Sequence, residues 1–337
     1  MPTINDVARL AGVSTATVSR VINQTAWVEP ATRERVEKAM RELNYRRNAA
    51  ALALARRSGN MLGLLTGNLA DPFFAHLAKG VEAVARKHDY KLLVCSGGHD
   101  AQKEKTGLDF LINQGCEAMV VHASQLSDAE LIRYSAHFPA LIVLNRYIAE
   151  FSHRCVWFEN YQAALTATQY LLDKGHRIIA CVTSDIPIAD RQERLNGYID
   201  AMNRQGITPE KEWIISAPFT ERGGEQAGYQ LLNSQVPFSA VFTFNDVMAA
   251  GILRILHQEG ISLPRQMSVM GFDDVALARY LYPALTTMHY PVESMARRAA
   301  LLAIRYCQQL TVKPANNAFS ARLVCRQSVC EVPVNQA

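Results

Sequence analysis

The chain has 337 residues, 49% hydrophobic and 20% charged, with a net charge of +4. That composition suits a globular protein of two or three domains and excludes a disordered or collagen-like chain. The charge is unevenly placed: residues 1–58 hold ten Lys/Arg against five Asp/Glu, so they carry +5 and the remainder −1. A short basic segment ahead of a neutral body is the footprint expected for a polyanion partner.

In chain order, residues 3–23 come first, TINDVARLAGVSTATVSRVIN. Ile4, Val7, Ala8 and Ala11 recur at helical spacing until Gly12 interrupts, a residue free to adopt positive φ. Ser14 is a good N-cap for a second short helix, with Val18, Val21 and Ile22 on one face. Two helices joined by such a turn form a helix-turn-helix, and the outer face of the second offers Thr15, Ala16, Ser19 and Arg20. Hydroxyls can meet phosphates or bases, a methyl can meet thymine, and Arg can grip guanine in a bidentate manner. Pro30 and the charge pattern of PATRERVEKAMRELNY predict a third helix, with Val36, Met40 and Leu43 inward. Residues 45–58, YRRNAAALALARRS, are helix formers by propensity, but the stretch is short for an isolated helix.

From Met61 onward, apolar runs alternate with helical segments: MLGLLTG, YKLLVCSG, AMVVHAS, ALIVLNR, IIACVTS, AVFTFND and MSVMGFDD. Strands hydrophobic on both faces and separated by helices predict two doubly wound parallel α/β halves. In open α/β sheets ligands bind outside the carboxyl ends of the strands. The polar residues there include Asp71, Asn145, Arg146, Asn245, Asp246, Asp273 and Asp274. Singly, each suits a turn or helix cap. Together, carboxylates, amides and an arginine suit a hydroxyl-rich ligand.

Seven cysteines without a CxxC pair, some inside strand-like runs, predict free thiols in a reducing cytosol, with no disulfide framework and no zinc. No signal peptide opens the sequence and no apolar run nears the roughly 20 residues of a bilayer span, so a cytoplasmic location without membrane association is expected. GxGxxG, GxxxxGK[ST], GxSxG and HExxH are all absent and the nine histidines are scattered, so no enzyme, metal or cofactor is expected.

The run DVARLAGVSTATVSRVIN closely resembles the DNA-binding module of the LacI/GalR family of transcriptional repressors. The core is similar to the periplasmic sugar-binding fold that this family uses as effector domain. The resemblance implies that Thr15, Ala16 and Arg20 contact base edges of double-stranded operator DNA. Thr3, Ser14, Thr17, Ser19 and Asn23 match positions that contact the backbone or fix the helices. It also implies a hinge helix in which Asn48, Ala51 and Leu54 reach the DNA, Leu54 as a minor-groove wedge. Arg47 stands where relatives carry proline, which would predefine the hinge start.

Effector contacts map onto Phe73, Phe74, Asn145, Arg194, Phe219, Asn245 and Asp273, while Glu159 replaces the Asp common in relatives. Stretches such as ADPFFAHLAKGVEAVA and RGGEQAGYQLL most resemble the galactose-responding branch of the family, so a galactose-type sugar is expected to release the repressor. A β-glucoside or another sugar is the alternative within the family. The distant alternative is a sugar-binding module without DNA function. Expected domains are 1–45 for DNA binding, 46–59 for the hinge and 60–337 for the core. The core is expected to form subdomains of 60–158 with 290–318, and 159–289 with 319–332. No leucine heptad tail follows FSARLVCRQSVCEV, so a homodimer is expected.

Overall fold

A computed structural model describes residues 3–23, 27–43, 60–312 and 316–332. The chain divides into two units, Met1–Gly59 and Asn60–Ala337. The hinge positions Arg47, Asn48, Ala51 and Leu54 lie outside the described residues.

The first unit contains α1 (Ile4–Ala11), α2 (Thr15–Asn23) and α3 (Pro30–Glu42). Thr3 and Asp6 form a capping box: Thr3 Oγ1 accepts from the Asp6 N–H, and the Asp6 carboxylate accepts from the Thr3 N–H at 2.9 Å. These bonds hold the Asp6 carboxyl below its ordinary range. Gly12, at φ 65°, turns the chain out of α1. Ser14 Oγ then accepts from Thr17 N at 3.1 Å to start α2. Val7, Ala11, Val18, Val21 and Val36 close a small core of their own.

The second unit holds two six-stranded sheets. In chain order its first half comprises β1 (Met61–Thr66), α4 (Pro72–Lys87), β2 (Lys91–Ser96), α5 (Ala101–Asn113), β3 (Ala118–Val121), α6 (Asp128–His137), β4 (Leu141–Leu144) and β5 (Cys155–Phe158). There follow α7 (Asn160–Asp173), β6 (Ile179–Ser184), α8 (Ala189–Arg204), β7 (Ile214–Ala217), α9 (Glu221–Asn233), β8 (Ala240–Thr243), α10 (Asp246–Gln258), β9 (Ser268–Asp273) and β10 (Thr286–His289). The chain closes with α11 (Val292–Cys307), β11 (Ala318–Phe319) and β12 (Arg322–Val324).

The sheet orders are β11-β5-β4-β3-β1-β2 and β12-β10-β9-β8-β6-β7. Every pairing is parallel except β10 with β12. Helices cover both faces, which is why β3, β4 and β8 are buried along their whole length. The strands β5, β7 and β10 are absent from the seven runs above; they read CVWF, IISA and TTMH.

The chain crosses between the halves three times. Helix α7 packs on α8 in the second half, α11 returns to pack on α4 in the first, and β11 and β12 join opposite sheets. The seven cysteines are free thiols, and burial pushes Cys116 and Cys155 up to about 11. No helix among the described residues is long and apolar enough to cross a membrane.

Candidate functional site

In the first unit, α2 exposes Thr15, Ala16 and Arg20, while its valines face the core. Ser14 and Thr17 hydroxyls lie 2.9 Å apart and Ser19 is half-buried, so these three serve the helix edge more than its outer face. Thr3 is exposed at the cap of α1, and Asn23 ends α2. The outward side chains are thus one hydroxyl, one methyl and one guanidinium, a set that can read the major groove.

In the second unit a cavity of about 290 Å³ opens at the carboxyl ends of the strands, between the two halves. From the first half it takes Asp71, Phe73 and Phe74 after β1, His99 after β2, and His122 after β3. From the second come Asp190 and Arg194 of α8, Phe219 after β7, Phe244 and Asn245 after β8, and Asp273 at the end of β9.

Local chemistry fixes most of these groups. Asp71 caps α4 by accepting from Phe73 N at 2.8 Å, and burial raises its carboxyl above the ordinary range. Phe74 meets the His122 ring edge-on at 5.1 Å and fills the space where Gly67 has no Cβ. Asn245 caps α10 through Oδ1, which accepts from Met248 N at 2.8 Å. Its Nδ2 is left for the cavity.

Arg194 is 5% exposed. Its Nε donates to Asn160 Oδ1 at 2.8 Å, Nη1 donates to the Phe244 carbonyl, and its guanidinium carbon lies 3.8 Å from the centroid of the Phe272 ring. Nη2 and the second hydrogen of Nη1 are the donors that remain.

Asp273 has φ 106°, a left-handed conformation that a non-glycine residue adopts only under constraint. Next in the chain after Asp274, Val275 N donates at 2.9 Å to the fully buried Asp246 carboxylate, which also accepts from Thr287 Oγ1 at 2.6 Å. Asp273 Oδ1 is buried without a partner, and burial pushes this carboxyl well above its usual range. An unpaired buried oxygen costs about 1–3 kcal/mol, which a ligand hydroxyl would relieve.

Of the seven effector positions mapped from sequence, six line the cavity. The seventh, Asn145, lies off the wall: its Nδ2 donates to Asp190 Oδ2 at 2.5 Å and its Oδ1 accepts from Tyr290 Oη. Among the other strand-end residues, Arg146 pairs with Asp128 at 2.6 Å, and Asp274 pairs with Arg326 and His289. Glu159 is exposed and off the cavity wall.

Five polar wall residues were not singled out for binding: Asn68, His99, His122, Asp190 and Thr220. His122 directly follows the run AMVV, so the strand-end rule applied to every run reaches it. His99 follows a two-glycine turn and has no such marker. Burial holds both imidazoles below their ordinary pKa, so they are neutral at neutral pH. His122 Nδ1, like Asp273 Oδ1, is buried with no partner.

Two family patterns match the chain: "Bacterial regulatory proteins, lacI family" over residues 3–48, and "Periplasmic binding protein-like domain" over residues 168–329. The HTH-type transcriptional regulator GalS of Salmonella typhimurium is 41% identical over 329 residues, 98% of this chain and 97% of that protein. GalR of Escherichia coli K12 is likewise 41% identical, over 98% of this chain and 96% of its own. Among solved structures, the lac repressor dimer bound to operator and the anti-inducer ONPF is 26% identical with a TM-score of 0.81, covering 98% of this chain and 99% of that one. The chain therefore belongs to the LacI family: it is a DNA-binding transcriptional repressor with a periplasmic-binding-protein-like sugar-binding domain, and not an enzyme.

Proposed function

We propose that the chain acts in the cytoplasm as a homodimer, that α2 of each subunit reads half of a pseudo-palindromic operator, and that a galactose-type sugar releases it. The observation that carries the sugar reading is the convergence of Arg194, Asn245 and Asp273 with Phe73, Phe74 and Phe219 on one cavity. Polar groups of this kind exchange hydrogen bonds with hydroxyls, while aromatic faces pack on the C–H side of a ring. The likeness to GalR and GalS favours galactose. The lac repressor, solved as a dimer on operator, supports the two-fold reading.

Thr15, Ala16 and Arg20 take the base contacts in this reading, with Thr3, Ser14, Thr17, Ser19 and Asn23 at the backbone. The proposed division is 1–45 for DNA binding, 46–59 as hinge and 60–337 as effector core. Sugar closes the cleft and favours a core state of low operator affinity, which requires that it bind the two states unequally.

A thermal-shift series with galactose, glucose and cellobiose tests the effector. A ligand that binds only the folded state raises Tm by linkage, so galactose should raise it most. A larger shift with cellobiose would move the assignment to a glucoside, and no shift with any sugar would remove it.

A further inference from the structure

Glu104 is 2% exposed yet carries an acidic side chain inside the first half of the core. Both its oxygens are engaged as acceptors. Oε1 takes the Ser124 N–H at 2.9 Å and Oε2 takes those of Gln125 and Leu126, each at 3.0 Å. Glu104 Oε1 also accepts from Ser124 Oγ at 3.0 Å. A hydroxyl has one hydrogen, so Ser124 Oγ has only lone pairs left for its other neighbour. That neighbour is His99 Nδ1, at 2.8 Å.

The direction of the chain follows. Ser124 must accept, so His99 Nδ1 must carry the proton, and in a neutral imidazole Nε2 then has a lone pair. His99 lines the cavity. It is held there at φ 58°, between the Gly98 turn and the Asp100 cap of α5. Gly97 packs directly on the Glu104 side chain: a Cβ there would meet Glu104 Cγ at 2.5 Å.

We propose that Glu104, acting through Ser124, fixes His99 as the Nδ1–H tautomer, so that Nε2 accepts a hydrogen bond from a hydroxyl of the bound ligand. Glu104 and Ser124 are positioning residues, and His99 is a specificity residue of the cavity. The ligand half of this proposal rests on the sugar reading above. The tautomer half does not. A hydroxyl is a donor that Nε2 can use, whereas an ether or deoxy carbon at the same place leaves it unpaired.

The test uses the full chain, labelled with ¹⁵N histidine, with the His99 signals identified by their loss in His99→Gln. Long-range ¹H–¹⁵N spectra at neutral pH should show His99 Nδ1 as a protonated nitrogen and Nε2 as one with a free lone pair. In Ser124→Ala the His99 pattern should move toward the Nε2–H or mixed form, while the other histidines stay put. An Nε2–H form in the wild type, or an unchanged His99 pattern in Ser124→Ala, overturns the relay.

Galactose affinity should fall about tenfold in His99→Gln and about threefold in Ser124→Ala. Wild-type affinity in His99→Gln, beside a protein that binds galactose, overturns the ligand contact. A wild type that no sugar protects overturns the sugar reading instead, and the spectra still decide the tautomer.

Discussion

Asn145 and Asp190 join the two halves of the core, Nδ2 donating to Oδ2 at 2.5 Å. Asn145 follows β4 of one sheet and Asp190 lies in the first turn of α8, beside the other. The same amide accepts from Tyr290, whose ring stacks on Phe158 at 3.8 Å where the chain crosses between halves. Because Asp190 also faces the cavity, a ligand there and this link share one carboxylate. Asn145 sits at φ 62°, so Asn145→Gly keeps the backbone while it removes the link to Asp190 and the acceptor for Tyr290. Galactose binding measured by calorimetry should weaken about tenfold, the value of one hydrogen bond between polar groups at ~1.4 kcal/mol. Wild-type affinity in that variant would leave the link without a part in closure.

Stability in the second half depends on two helices whose backbones nearly touch. A Cβ on Gly251 of α10 would lie 2.1 Å from the Glu221 carbonyl of α9, and one on Gly224 would lie 2.1 Å from the Met248 carbonyl. Backbone cannot yield as a flexible side chain does. Gly251→Ala should therefore cost about 1–3 kcal/mol despite alanine's better helix propensity. Calorimetry should show Tm lowered by several degrees; an unchanged or raised Tm would mean the helices separate freely.

Asp246 gives a pH dependence with a definite sign. Burial pushes its carboxyl up to about 7, from an ordinary value of 3.8, with its bonds to Thr287 and Val275 opposing only in part. The folded state thus holds this proton more tightly than the unfolded chain does. Its contribution to stability is present at low pH and is lost as pH rises from about 4 through about 7. Buried His99, His122 and His176, lowered below 6.5, act oppositely in acid, so the comparison must be relative. In urea melts, the stability of Asp246→Asn relative to wild type should improve from pH 5 to about pH 7 and level off above it. A difference constant with pH would show that Asp246 is ionised in both states.

On the DNA side, Arg20 is the one cation on the exposed face of α2. Arg20→Ala should cost about 1–3 kcal/mol on the selected operator and relax discrimination at one base pair of each half-site. Binding to random duplex should change far less. An equal loss on both duplexes would make Arg20 a phosphate contact.

Much of this was readable because local and global signals agree. Gly12, the Ser14 cap and the valines of α2 specify the helix-turn-helix within 20 residues, and strands buried on both faces announce a parallel sheet. What escaped depends on approach in space. Nothing in CSGGHD marks His99 as a cavity residue, since its orientation comes from Ser124 and Glu104, which are distant in sequence. Asn145 follows a strand and maps onto an effector contact by resemblance, while its amide bonds to Asp190 and Tyr290 depend on residues 45 and 145 positions away. Asp246 looks like a helix cap, but its carboxylate is spent on Val275 N and Thr287 Oγ1, both distant in sequence.

The most direct test of the central claim is fluorescence anisotropy of a labelled operator, selected from a random pool for binding to the full chain, titrated with and without galactose at fixed salt. The account predicts binding at least about 10³-fold tighter than to a scrambled duplex. It also predicts an apparent Kd that galactose raises by about 5–150-fold. Superimposable curves with and without galactose, under conditions where galactose raises the Tm of the same protein, would contradict it.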